Sequence, residues 1–181
     1  GLEAHRAAGH LHGVELADPP PGNLDYLGLN YYRRDRVRAL SDRPFDWEIG
    51  PGEGTDQTQM GWEIAPDGLR ETLLDLHRRY APREILVTEN GAAYPDAVDA
   101  DGAVHDDARL AYLAGHIAAV ADARAAGVPV TGYHAWSLLD NFEWSLGYIR
   151  RFGLIYVDYD TQRRTPKDSA RWFSKVIAAG R

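Results

Sequence analysis

The sequence predicts an α/β fold built on a parallel sheet. Two observations carry this: strand-like and helix-like segments alternate along the chain, and each expected strand ends on its carboxyl side in polar or aromatic residues. The clearest case is Ile85–Gly91, I-L-V-T-E-N-G. Its three leading apolar residues form a short buried strand that stops at Glu89 and the turn pair Asn90-Gly91. Helices are expected on both faces of such a strand, so only its carboxyl end opens to a ligand, and Glu89 stands there. A carboxylate after a strand is commonly just a solvated loop residue, so its role depends on the other segments.

The elements follow in order. Residues 1–23, rich in Ala, His, Gly and Pro and closed by Pro19-Pro20-Pro21-Gly22, read as a linker or helix remnant, with the domain spanning 24–181. His5, His10 and His12 lie there without the cysteine or carboxylate pattern that closes a metal site. Leu24–Tyr32, L-D-Y-L-G-L-N-Y-Y, is a strand whose Asn30 and Tyr32, two apart, share a face. Arg33–Trp62, with breakers at Gly50, Pro51, Gly52, Gly54 and Gly61, reads as a long irregular loop, a feature often functional.

Pro66-Asp67 opens a helix with Leu69, Leu73, Leu76 and Tyr80 on its core face, and Ala81-Pro82 ends it before the strand at 84–89. Asp106 and Asp107 suit the start of a second helix, on which Leu110, Leu113, Ile117 and Val120 point inward; Gly127 and Pro129 stop it. Val130–Trp136 is a third strand, Gly153–Arg164 a hairpin, and Pro166–Ala179 a last helix burying Trp172, Phe173, Val176 and Ile177. This alternation fits a doubly wound sheet or a (β/α)8 barrel. Neither G-x-G-x-x-G nor a P-loop is present, which weakens a nucleotide-binding reading.

Composition narrows the function. With 44% hydrophobic and 26% charged residues the chain can bury a respectable core. A net charge of -7 argues against nucleic acid, and Arg33, Arg34, Arg36 and Arg38 are interrupted, as in a solvated loop. No apolar run is long enough to span a membrane. The absence of cysteine fits a reducing, cytoplasmic setting, although Gly1 is not a natural start and the true amino terminus is out of view.

A second informative stretch leaves the third strand: Trp136–Trp144, W-S-L-L-D-N-F-E-W. Asp140 and Asn141 read as corner residues bonded to local backbone. Glu143, between Phe142 and Trp144, reads as a ligand contact, because aromatic faces beside a carboxylate acceptor suit a sugar ring.

These stretches, with M-G-W-E-I-A-P-D-G-L at 60–69 and W-S-L-L-D-N-F-E-W-S-L-G-Y-I-R-R-F-G-L at 136–154, resemble the carboxyl-terminal part of glycoside hydrolase family 1, the β-glucosidase family. The resemblance runs in order from about Leu24 to the end. It implies the carboxyl-terminal part, about strands six to eight, of a (β/α)8 TIM barrel, and retaining hydrolysis of β-glycosides without a cofactor. On that resemblance Glu89 is the nucleophile, Tyr32 orients its carboxylate with Asn30 alongside, and Trp136 is the stacking floor. Glu143 accepts from sugar hydroxyls, Trp144 donates its indole N–H, Phe152 closes the pocket, and Trp62 lines the aglycone side. The branch acting on 6-phosphorylated sugars lacks a Glu at position 143, so Glu143 implies an unphosphorylated β-glycoside or small oligosaccharide.

One part of the family pattern is missing. Retaining hydrolysis uses two carboxyls about 5 Å apart, and in the family the acid/base belongs to an N-E-P motif that this chain lacks. A barrel also takes about 250 residues. The chain is therefore expected to need an amino-terminal barrel half, in the same or another chain. The alternatives are an inactive sugar-binding remnant or one chain of a split enzyme.

Overall fold

A computed structural model describes residues 24–41 and 45–180; the expected linker and its three histidines fall outside them. Strands β1 (Leu27–Asn30), β4 (Ile85–Asn90) and β5 (Val130–Ala135) form a parallel sheet in the order β1-β4-β5. Helix α1 (Pro66–Tyr80) follows β1, α2 (Asp107–Ala125) follows β4, and α3 (Asp168–Ala179) follows β5. Two antiparallel ribbons complete the chain: β2 (Arg36–Ala39) with β3 (Trp47–Gly50), and β6 (Ile155–Val157) with β7 (Arg164–Pro166). Among the described residues, no helix is long and apolar enough to cross a membrane.

Alternation along the strands decides where the core lies. Leu27, Leu29 and Tyr31 of the first strand segment, Ile85 and Val87 of β4, and Val130 and Tyr133 of β5 project to one side. There they meet Leu69 and Leu73 of α1 and Val120 and Ala123 of α2. Further along the same side, Tyr112 and Leu113 of α2 pack with Ala92 and Leu154 against Tyr133, Trp172 and Phe173. Full burial of each large apolar side chain contributes about 1.5–3 kcal/mol. The three helices among the described residues thus cover the same sheet face, correcting the expectation of helices on both; the other face carries Gly28, Asn30 and Thr88. Helices on one side only are the mark of a barrel wall, whereas a doubly wound sheet is covered on both sides.

Other local expectations also shift. Residues 33–62 are not irregular throughout, because Val37 pairs with Ile49 and Ala39 with Trp47 in the β2–β3 ribbon. On α2 the buried face is Arg109, Tyr112, Leu113, His116 and Val120, leaving Leu110 and Ile117 half-exposed. Asp106 and Asp107 stand at the start of α2 as foreseen; the Asp106 carbonyl accepts from the Leu110 N–H (3.0 Å), while its side chain makes no backbone cap and instead accepts from Arg109 (2.6 Å) and from the backbone N–H of Ser169 (2.8 Å). On α3, Trp172, Phe173 and Val176 are half-buried and Ile177 is 46% exposed, so that face is only partly covered. Helix α1 begins with Pro66 and ends as foreseen, with Ala81 left-handed at φ 41° and its N–H on the His77 carbonyl.

His116 gives this core a pH dependence. It is fully buried on α2, stacks on Tyr112 at 4.0 Å, and bonds the Tyr112 carbonyl through Nδ1, while Nε2 has no partner among the described residues. Burial lowers its pKa from 6.5 to about 4. Between those values the unfolded chain binds a proton that the folded chain refuses, so stability falls as pH falls through that window. In the complete barrel we expect a loss of up to about 3 kcal/mol between pH 7 and 4 from this residue. His116→Phe should flatten the pH dependence of the urea midpoint.

Candidate active site

The carboxyl ends of β1, β4 and β5 bring together most of the residues expected from the sequence. Tyr32, just beyond β1, donates its hydroxyl to Glu89 Oε2 at 2.6 Å. Burial, followed by the hydrogen bond to Glu89, raises the phenol's pKa far above its ordinary value, so Tyr32 remains a neutral donor. Tyr31, one residue earlier, points the opposite way into the core and bonds the Ala65 carbonyl at 2.7 Å. Asn30 is in register with Glu89, but its side chain accepts from Thr88 Oγ1 (2.7 Å).

Aromatic rings pack around the tyrosine that bonds this carboxylate. Trp62 lies edge-on to Tyr32 at 5.5 Å, and Phe152 stands 6.3 Å from Tyr32 and 6.1 Å from Trp62. The Arg33 guanidinium sits 5.2 Å above the Trp62 ring. Trp62 is fixed by its neighbour: buried Glu63 accepts from the Gly52 backbone N–H (2.8 Å) and from Arg34 (2.7 Å), which also reaches Asp67. The Gly52 N–H and then Arg34 hold the Glu63 pKa below the usual carboxylate value. The arginine-rich segment is thus not simply solvated loop, since Arg34 organises the entry to α1.

The loop after β5 supplies the rest. The Trp136 N–H bonds the Asn90 carbonyl (2.9 Å), and the Trp136-Ser137 peptide is cis. Ser137 N–H bonds the Phe152 carbonyl (3.2 Å), so Trp136 and Phe152 are carried by one braced segment. Gly91 permits this approach, because a Cβ there would fall 1.8 Å from the Trp136 carbonyl oxygen. Glu143 is half-buried; burial first and the charge of Glu89 second raise its pKa. Trp144 is not gathered in: it starts a short 3-10 turn, Trp144–Leu146, and its indole is 82% exposed.

Beneath the loop lies an ionic cluster that spacing did not reveal. Asp140 is more than a corner residue, because besides the Gly153 N–H (2.9 Å) it accepts from Arg151 (2.7 Å) and Lys167 (2.9 Å). Lys167 continues to Asp96 (2.6 Å), and Arg109 joins Asp96 (2.7 Å) to Asp106. Burial lowers the Lys167 pKa against the pull of both aspartates. Sequence reasoning also missed three uncharged polar groups behind the site, Asn90, Tyr112 and Tyr133; Asn90 closes β4 as a buried residue and is not an exposed turn. A polar oxygen or amide on an otherwise apolar face was the available signal. Among the described residues, Asp99, Asp101 and His105 could share a metal ion, but all three are exposed and outside this group, and His105 Nδ1 lies 2.6 Å from Asp168.

Helices on one sheet face, with a tyrosine-braced carboxylate and aromatic rings at the strands' carboxyl ends, define one side of a (β/α)8 barrel. The chain belongs to Glycosyl hydrolase family 1, whose sequence model matches residues 17–181. It is 47% identical over 154 residues to β-glucosidase A of Thermotoga maritima, covering 85% of this chain and 34% of that protein. It is 46% identical over 175 residues to a bifunctional β-D-glucosidase/β-D-fucosidase of Bifidobacterium breve, and 39% identical over 173 residues to a 6-phospho-β-galactosidase of Streptococcus equi subsp. zooepidemicus. The solved structure of Thermotoga maritima β-glucosidase with castanospermine superposes with a TM-score of 0.82 at 46% identity, over 86% of this chain and 35% of that one. The chain therefore spans about a third of the length of the curated relatives it matches.

Lys167→Met tests the ionic cluster. It leaves Asp96 and Asp140 buried without their shared cation, and in the complete barrel the expected destabilisation is about 3–5 kcal/mol, read from the urea midpoint. A change below about 1 kcal/mol would show that the cluster is not sealed from water.

Proposed function

We propose that this segment supplies the nucleophile side of a retaining β-glucosidase-type active site acting on O-glycosyl bonds of unphosphorylated β-glycosides. The observation that carries the proposal is the 2.6 Å bond from the Tyr32 hydroxyl to Glu89, where adjacent parallel strands end and Trp62 and Phe152 pack around the tyrosine. Glu89 attacks the anomeric carbon as the bond to the leaving oxygen breaks, giving a glycosyl ester; water then cleaves that ester. Tyr32 holds the attacking carboxylate in one rotamer and leaves the other oxygen free for carbon.

The remaining roles are those that the family resemblance implies. Trp136 offers the floor on which the sugar's C–H face stacks, Phe152 and Trp62 close the glycone and aglycone sides, and Asn30 completes the wall beside Glu89. Glu143 accepts from sugar hydroxyls, and Trp144 donates there once its loop folds over a bound ring. A carboxylate at 143 repels a sugar phosphate, so the reading follows the β-glucosidases above and departs from the 6-phospho-β-galactosidase. The proton for the leaving group comes from a carboxylic acid outside residues 1–181, on an amino-terminal barrel part in the same or another chain, because no second acid of the N-E-P type is present.

Glu89→Gln in the complete barrel is expected to lower kcat on p-nitrophenyl β-glucoside by about a thousandfold or more, with an unchanged circular dichroism spectrum; activity within tenfold of the parent rejects Glu89 as nucleophile. The parent should prefer the glucoside to its 6-phosphate by about a hundredfold, and equal kcat/KM values would reject the unphosphorylated glycone.

A further inference from the structure

Regular alternation cannot place Glu89 where it is found. Val87 faces the helices and Thr88 the opposite side, where it bonds Asn30. Strict alternation would then turn Glu89 back toward the helices and Asn90 into the pocket. The reverse is seen: Glu89 meets Tyr32, and Asn90 meets Tyr112 on α2. The pairing shows the slip, since Leu29 faces Val87 while Asn30 faces Glu89, leaving Thr88 as the extra residue of a bulge.

Asn90 holds that slip in place. It is 0% exposed, and all its side-chain hydrogen-bonding groups are engaged. One amide N–H goes to the Tyr31 carbonyl (2.7 Å), the other to the Tyr112 hydroxyl (3.0 Å), and the amide oxygen accepts from Tyr133 (2.5 Å). Its main-chain carbonyl takes the Trp136 N–H. Tyr112 in turn donates to the Tyr32 carbonyl (3.2 Å). The circuit closes: Asn90 to Tyr112, Tyr112 to Tyr32, Tyr32 to Glu89, and Glu89 through one peptide bond to Asn90. Burial keeps both phenols neutral.

We propose that Asn90 is a positioning residue for Glu89, with Tyr112 and Tyr133 as its partners: its buried amide fixes the bulge that aims the nucleophile at the anomeric carbon. The inference rests on the reading of Glu89 given above. A misplacement of about 1 Å at the reacting atom costs about a hundredfold in rate, so the effect belongs to glycosylation and not to sugar binding.

The test uses the complete barrel. Active sites are titrated with a 2-deoxy-2-fluoro-glucoside bearing a good leaving group, which accumulates the glycosyl-enzyme, and the rate of its formation is expressed per titrated site. Asn90→Ala should lower that rate about a hundredfold and Tyr112→Phe or Tyr133→Phe about tenfold, while competitive inhibition by glucose stays within twofold. Unchanged rates per site together with a lowered melting temperature would overturn the proposal, since a merely structural residue alters how much enzyme folds and not how fast each site reacts. Should Asn90→Ala fail to fold, the two phenylalanine variants, each lacking one oxygen, decide the question alone. Glu89→Gly with azide checks the underlying reading separately. Azide should attack the anomeric carbon as nitrophenolate leaves, giving the α-glycosyl azide; its absence refutes Glu89 as nucleophile whatever the Asn90 variants show.

Discussion

A β-strand offers each residue one of two faces, and the site depends on the single place where β4 breaks that rule. With Thr88 as the odd residue, a strand that buries Ile85 and Val87 under helices also delivers Glu89 to the open side. Everything nearby conforms to this change of phase. Tyr31 and Tyr32, just beyond β1, continue its ordinary alternation, so that one fills the core and the other reaches Glu89. Gly91 must lack a side chain because the next strand's exit, at Trp136, closes directly over the end of β4.

Around that point, two kinds of polar bracing divide the work. Neutral groups hold the strand ends: amide, phenol and carbonyl bonds fix Asn90, Tyr112 and Tyr32 without placing a further charge behind the carboxylate. Charged groups hold the loop farther out, where Asp140, Lys167, Asp96 and Arg109 join the β5 exit to the ribbon and to the starts of α2 and α3. The separation is electrostatically reasonable. A cation directly behind Glu89 would add charge beside the carboxylate, whereas neutral donors orient it without doing so.

Much of the fold could be read from the chain because its signals are local. The apolar run ending in Glu89, the Pro66 helix start and the i, i+4 spacing of Leu69 and Leu73 each depend on neighbours in sequence. What escaped reading depends on partners far apart. Arg109 and His116 lie on the buried face of α2 because Asp96 and a packed tyrosine receive them, so hydrophobic spacing alone picked Leu110 and Ile117 instead. The β2–β3 ribbon was hidden by its glycines and arginines. At the site, Glu89, Tyr32, Trp62 and Phe152 stand together as the motifs suggested, whereas the bulge that unites them leaves no composition signal, and Trp144 stands in solvent although it lies beside Glu143 in sequence.

The loop after β5 joins two regimes within a few residues. Its base, from Trp136 to Asp140 and from Arg151 to Leu154, is tied by backbone bonds and buried charge, whereas Phe142, Trp144, Tyr148 and Ile149 at its tip are open to solvent. Substitutions at the tip can therefore change the side chains presented there without disturbing the register that sets Glu89. Tolerance of change and structural constraint thus fall on different parts of the same loop.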